Sequence, residues 1–183
     1  MRMLKHILSF LLFTFIVFSV KADNIKIACV GNSITEGFGL ENPSQESYPA
    51  VLQSLLGDDY EVGNFGLSAR TLLMKGDLPY MKEQRFKDAL EFLPDIVTIK
   101  LGTNDSKPHN WLHKDDFKHD LNTLLDSFSA LSSSPKIYLC LPIPSENNIW
   151  GINDSIIHNC IIPIIKEVAV ERNISMIDLN TAM

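Results

Sequence analysis

From residue 25 onward the apolar positions come in two rhythms, short continuous runs and longer stretches at helical spacing, and the two alternate. The run IKIACV predicts a strand over 25–30 ending at Gly31. Residues 48–56 predict a helix, with Pro49 in its first turn and Gly57 as its stop. A second strand follows over 60–65, then a helix over 82–92 closed by Pro94, and the run DIVTIKL predicts a third strand over 95–101. Over 114–131, Phe117, Leu121, Leu124, Leu125 and Phe128 fall on one helical face, and three serines with Pro135 break the pattern. A fourth strand over 136–141, a helix over 154–172 and a fifth strand over 174–179 complete the chain. Pro163 lies inside that last helix and predicts a kink or a split. Strict β/α alternation implies a parallel sheet with helices on both faces, an α/β fold. Right-handed crossovers then put all the strand C-termini on one edge, where ligands bind near the reversal in strand order.

The first 22 residues follow neither rhythm. Arg2 and Lys5 precede an uncharged apolar run over 7–18, and Val20, Lys21 and Ala22 lead into Asp23. This is the pattern of a secretory signal peptide cleaved after Ala22, which places the remainder, 23–183, in a secreted or periplasmic setting. The run is short for a membrane span, which needs about 20 residues. The whole sequence of 183 residues has a formal net charge of −6; without residues 1–22 it keeps 13 basic and 22 acidic residues, a net charge of −9. That balance, with no basic run, argues against nucleic acid or an anionic membrane as partner. Its length suits one domain. Three cysteines make no disulfide framework and no zinc motif; Cys29, Cys140 and Cys160 read as core residues, with a Cys29–Cys140 bridge as the alternative.

Three polar, glycine-bearing clusters each follow a strand. They are Gly31-Asn32-Ser33-Ile34-Thr35-Glu36-Gly37, then Asn64 to Thr71 (NFGLSART), then Gly102-Thr103-Asn104-Asp105. Alone, each is ordinary turn chemistry. Together they meet the needs of acyl transfer. Ser33 is a nucleophile on a tight turn. The N–H of Ser33, the N–H of Gly66 and the side-chain amide of Asn104 are candidate donors to an oxyanion. No phosphate-cradling GxxxxGK[ST] or GxGxxG is present.

These blocks resemble the SGNH hydrolases, the GDSL-type esterases and lipases. Gly31-Asn32-Ser33-Ile34-Thr35 is similar to the family's GDS(I/L)T, Asn64-Phe65-Gly66-Leu67-Ser68 to NxGxSG, and Gly102-Thr103-Asn104-Asp105 to GxND. The resemblance implies a flavodoxin-like three-layer α/β/α sandwich with a five-stranded parallel sheet and no metal or organic cofactor. It also implies Ser33 as nucleophile, with Gly66 and Asn104 as oxyanion-hole donors. Asn32 stands where the family usually has Asp, and Ala69 where it has a second glycine.

The family's fourth element, a DxxH whose His activates the serine, has no counterpart after the fifth strand. His109 and His113, in the loop after the third strand, are the local substitutes. The expectation is therefore a C-terminally incomplete version of a longer enzyme, weakly active at most. The stretch from Gly102 to Trp111 resembles bacterial carbohydrate O-acetylesterases of the sialate type. Trp111 and Trp150 are candidates to stack on sugar rings or simply to pack, and Lys107 to meet a substrate carboxylate or simply be solvated. The expected activity is hydrolysis of acyl, chiefly acetyl, esters on glycans or small molecules. A lysophospholipase or thioesterase is the alternative within the family, and a non-catalytic carbohydrate-binding remnant the alternative outside it.

Overall fold

A computed structural model describes residues 23–146 and 149–182. β1 (Ile25–Gly31) runs through two single-turn helices, α1 (Ser33–Glu36) and α2 (Pro43–Glu46), into α3 (Tyr48–Leu56) and β2 (Tyr60–Gly66). Then come α4 (Gln84–Glu91), β3 (Ile96–Lys100), α5 (Pro108–Trp111), α6 (Phe117–Ser129) and β4 (Lys136–Cys140). The chain closes with α7 (Asp154–Ile156), α8 (Ile162–Glu171) and β5 (Ser175–Ile177). The five strands form one sheet in the order β2-β1-β3-β4-β5, every neighbour parallel. The order reverses at β1, so the crevice lies above the C-terminal ends of β1 and β3. The expected α/β sandwich is what the chain forms.

The register decides which side chains share a face. Ala28 pairs with Val97 and Val97 with Ile137, while Val30 pairs with Ile99 and Ile99 with Leu139. These residues face α4, α6 and α8, whose Ala89, Leu121, Leu124, Phe128, Ile165 and Val168 are buried against them in one core. On the opposite face Cys29 pairs with Thr98, and Thr98 with Tyr138. There α3 lies over β2, and its Gln53 side chain accepts from Val62 N–H (2.7 Å) and donates to Tyr60 O (3.0 Å).

Pro163 does not break the last helix, which runs on through a π turn. It lacks the N–H that an unbroken α-helix would donate to the carbonyl of Asn159. The chain takes up the mismatch as a π turn over Ile157–Ile161, and α8 continues with Pro163 in its first turn. β5 is shorter than the sequence suggests: it is an edge strand that pairs with β4 only over Ser175–Ile177.

All three cysteines are free; Cys29 and Cys140 are buried and Cys160 partly so. The alternative Cys29–Cys140 bridge is excluded by topology. Strand β3 lies between β1 and β4, and two strand spacings of about 4.8 Å exceed the Cα separation a disulfide spans. The expected leader, residues 1–22, lies outside the described residues.

Candidate active site

Ser33 sits where β1 leaves the sheet, as the first residue of α1. Asn32 caps that turn: its Oδ1 accepts from Ile34 N–H at 3.2 Å. Asn32 is fully buried and its Nδ2 has no partner. An Asp there would put an oxygen in place of that orphaned donor. Gly31 makes the turn possible, since an added Cβ would fall 2.1 Å from Thr35 Oγ1 and 2.9 Å from Lys100 O. Neither the N–H nor the Oγ of Ser33 has a hydrogen-bond partner among the described residues.

The second loop is pinned to α1 by one carboxylate. Glu36 Oε2 accepts from Ser68 N–H at 2.7 Å and from the Ser68 hydroxyl. Arg70 then ties the loop down further, donating to Ser68 O (2.8 Å) and pairing with Glu83 (3.0 Å). Between them Ala69 holds φ at +66°, a left-handed conformation that L side chains rarely adopt.

The third loop is held from beneath by buried carboxylates. Asp105 accepts from the N–H groups of Leu72 (3.0 Å) and Leu73 (2.7 Å), and Asp120 from that of Met74 (2.7 Å). Burial pushes the Asp105 carboxyl up to about 6, against the four backbone N–H donors that pull it down. Asn110 Nδ2 donates to Asn104 O (2.9 Å), and Asn104 Nδ2 to Arg70 O (3.1 Å). That leaves one hydrogen of the Asn104 amide for the crevice.

The three loops close around a pocket of about 170 Å³ lined by Ser33, Phe38, Ser68, Ala69, Asn104, Lys107, Trp150 and Ile152. Ser33 and Asn104 therefore meet as the sequence suggests. Gly66 does not join them. Its N–H donates to Asn64 Oδ1 (2.9 Å), and it is absent from the pocket wall. Gly66 lets α1 cross the sheet, since an added Cβ would fall 2.2 Å from Glu36 N. The backbone amide at that wall belongs to Ala69, whose N–H has no acceptor among the described residues. The sequence signal for Ala69 is a non-glycine where the resembling motif has glycine.

His109 and His113 do not line the pocket. His109 Nε2 instead meets Asp77 Oδ2 at 3.1 Å on the exposed side of the loop. The two tryptophans separate. Trp111 is half-buried edge-to-face on Phe117, ring centroids 5.8 Å apart. Trp150 is exposed and stands edge-to-face on Phe38 at 5.9 Å, both lining the pocket. Phe38 carries no distinguishing signal in the sequence, because Leu40 in the same loop is equally apolar.

The model of the GDSL-like lipase/acylhydrolase family matches residues 29–183. An acetylxylan esterase from Xylanibacter ruminicola is 48% identical over 180 residues, covering 89% of this chain and 38% of that one. The chain thus spans less than half the length of that relative. Among solved structures, a carbohydrate acetylesterase from Sinorhizobium meliloti superposes with a TM-score of 0.67 at 20% identity, covering 84% of this chain and 83% of the other. The aryl esterase of M. smegmatis gives 0.64 at 22%, covering 86% and 84%. These two likenesses concern the fold.

Proposed function

Because the chain belongs to the GDSL-like lipase/acylhydrolase family, we propose that it is a serine esterase that removes acetyl groups from carbohydrates. The observation that carries this is the meeting of Ser33 and Asn104 in one pocket beside an exposed aromatic wall. The likeness to an acetylxylan esterase supports an acetylated glycan, or a small sugar ester, as substrate.

In this reading Ser33 Oγ attacks the acetyl carbonyl, the sugar oxygen leaves, and the acetyl group rests on Ser33 until water releases it as acetate. The developing oxyanion meets the Asn104 amide and the N–H groups of Ser33 and Ala69. Those donors are preorganised, because Glu36 fixes the Ala69 side of the pocket and Asp105 the Asn104 side. Ser33 Oγ has no hydrogen-bond partner among the described residues, so the assay supplies a base in solution. An exported enzyme fits the leader-like residues 1–22. No helix among the described residues is long and apolar enough to cross a membrane.

The test is acetate release from O-acetylated xylo-oligosaccharides by the full chain, with and without added imidazole. Release that imidazole accelerates and that Ser33→Ala abolishes is the expected result. Release unaffected by Ser33→Ala, or none even with imidazole, contradicts the proposal. The second outcome favours a carbohydrate-binding role without catalysis.

A further inference from the structure

Among the described residues, the pocket beside Ser33 has a single charged group in its lining, and that group is a cation, Lys107. The chain as a whole is acidic, with a net charge of −6, yet Lys107 forms no ion pair among the described residues. The acids nearby are already engaged, and the Lys107 charge is one of the groups that help hold the Asp77 carboxyl low without pairing with it. Asp77 accepts from the Asn110 side chain (3.0 Å) and pairs with His109 (3.1 Å). Glu36 holds Ser68.

The Lys107 backbone is fixed as well. Its carbonyl accepts from Asn110 N–H (3.0 Å) and Trp111 N–H (2.9 Å), and the buried Asn110 side chain anchors that turn to Asn104 O. Lys107 therefore lines the pocket from a rigid base, and the other described residues that line it are neutral. Trp150, 71% exposed, and Phe38, 63% exposed, offer the pocket an aromatic surface suited to a sugar ring. A neutral sugar would leave the lysine to water; a sugar bearing a carboxylate supplies the counter-charge.

We propose that the pocket selects acetyl esters on sugars that carry a carboxylate, of the uronic acid type. Lys107 receives the carboxylate while the ring lies against Trp150. Lys107 is then a specificity-determining residue rather than part of the acyl-transfer machinery. This rests on the esterase reading for the meaning of the acetyl group but not for the charge preference.

Binding tests it apart from turnover. In the Ser33→Ala chain, the Trp150 indole signal is followed by NMR during titration with O-acetylated methyl glucuronoside and with O-acetylated methyl xyloside. The glucuronoside is expected to bind about five- to tenfold more tightly at low salt, with the preference fading as salt screens the contact. Lys107→Met should erase the preference and Lys107→Glu reverse it, the xyloside affinity changing less than about twofold in Lys107→Met. Equal binding of the two sugars, or a preference that survives Lys107→Met, overturns the inference. Acetate release by the wild-type chain reads the esterase proposal separately. Charge-dependent binding without release sinks that proposal and leaves this one standing.

Discussion

Ala69 and Gly66 occupy one loop with opposite requirements, and they yield opposite predictions. Ala69 adopts φ +66°, where a Cβ is strained. Ala69→Gly should therefore be neutral or stabilising by up to about 1 kcal/mol, read by urea unfolding, with labelling of Ser33 by a fluorophosphonate probe retained. Gly66→Ala drives a Cβ to 2.2 Å from Glu36 N, backbone that cannot yield without moving α1. It should cost stability and cut Ser33 labelling together. Equal behaviour of the two variants would contradict this division of roles. The proposed role of Asn104 as an oxyanion donor predicts that Asn104→Ala lowers the rate of acetyl transfer about 10²- to 10³-fold, seen in single-turnover assays. Ser33 and Asn104 were legible in the sequence because their chemistry lies in their side chains. Ala69 was not, since a backbone N–H has no letter of its own and its placement depends on a dihedral angle.

The loop after β2 is tied to the loop after β3 by Asp105 and to α6 by Asp120, carboxylates that accept backbone N–H groups from residues 72–74. Asp105 is completely buried, and its carboxyl sits at about 6 instead of the roughly 3.9 of an unfolded chain. The folded state thus takes up this proton at higher pH than the unfolded state. Its contribution to stability is fully present below about pH 4 and is lost as pH rises through about 6. The gap of about two units corresponds to roughly 3 kcal/mol. The stability advantage of wild type over Asp105→Asn should shrink by up to that amount between about pH 4 and 7.5 in urea titrations. A gap independent of pH would contradict the burial argument. The five strands and the longer helices were readable, because a strand run and a helical period differ in spacing, whereas the single-turn α1, α2 and α5 are too short to show a period. The π turn before Pro163 was not readable, because a missing N–H can be met by a kink, a break or a wider turn, and packing chooses among them.

Across the whole molecule, the sheet divides into a face packed by α4, α6 and α8 and a face carrying α3. Lys100 lies at the end of β3 with only 1% of its surface exposed and its Nζ without a partner. Burial pulls it down to about 8, with the nearby Cys140 thiol opposing. Its folded value lies below the unfolded one, so it costs stability at neutral pH, and that cost disappears as pH rises from about 8 to 10.5. Lys100→Met should raise stability at pH 7 by up to about 3 kcal/mol, with the gain vanishing near pH 10.5 in the same titration. The strand run DIVTIKL concealed this, because a lysine in a strand ordinarily reaches solvent. The fold class was legible from alternation alone, whereas the site needed the sheet to bring the loops after β1, β2 and β3 together.

In the proposed mechanism Ser33 carries the acetyl group between its two steps. Mass spectrometry of the chain, quenched with acid shortly after mixing with an O-acetylated xylo-oligosaccharide, detects that intermediate. One acetyl group on the peptide containing Ser33, absent from Ser33→Ala, is the predicted result. Acetate released with no acetyl on Ser33, or an acetyl group found on another residue, would contradict the account.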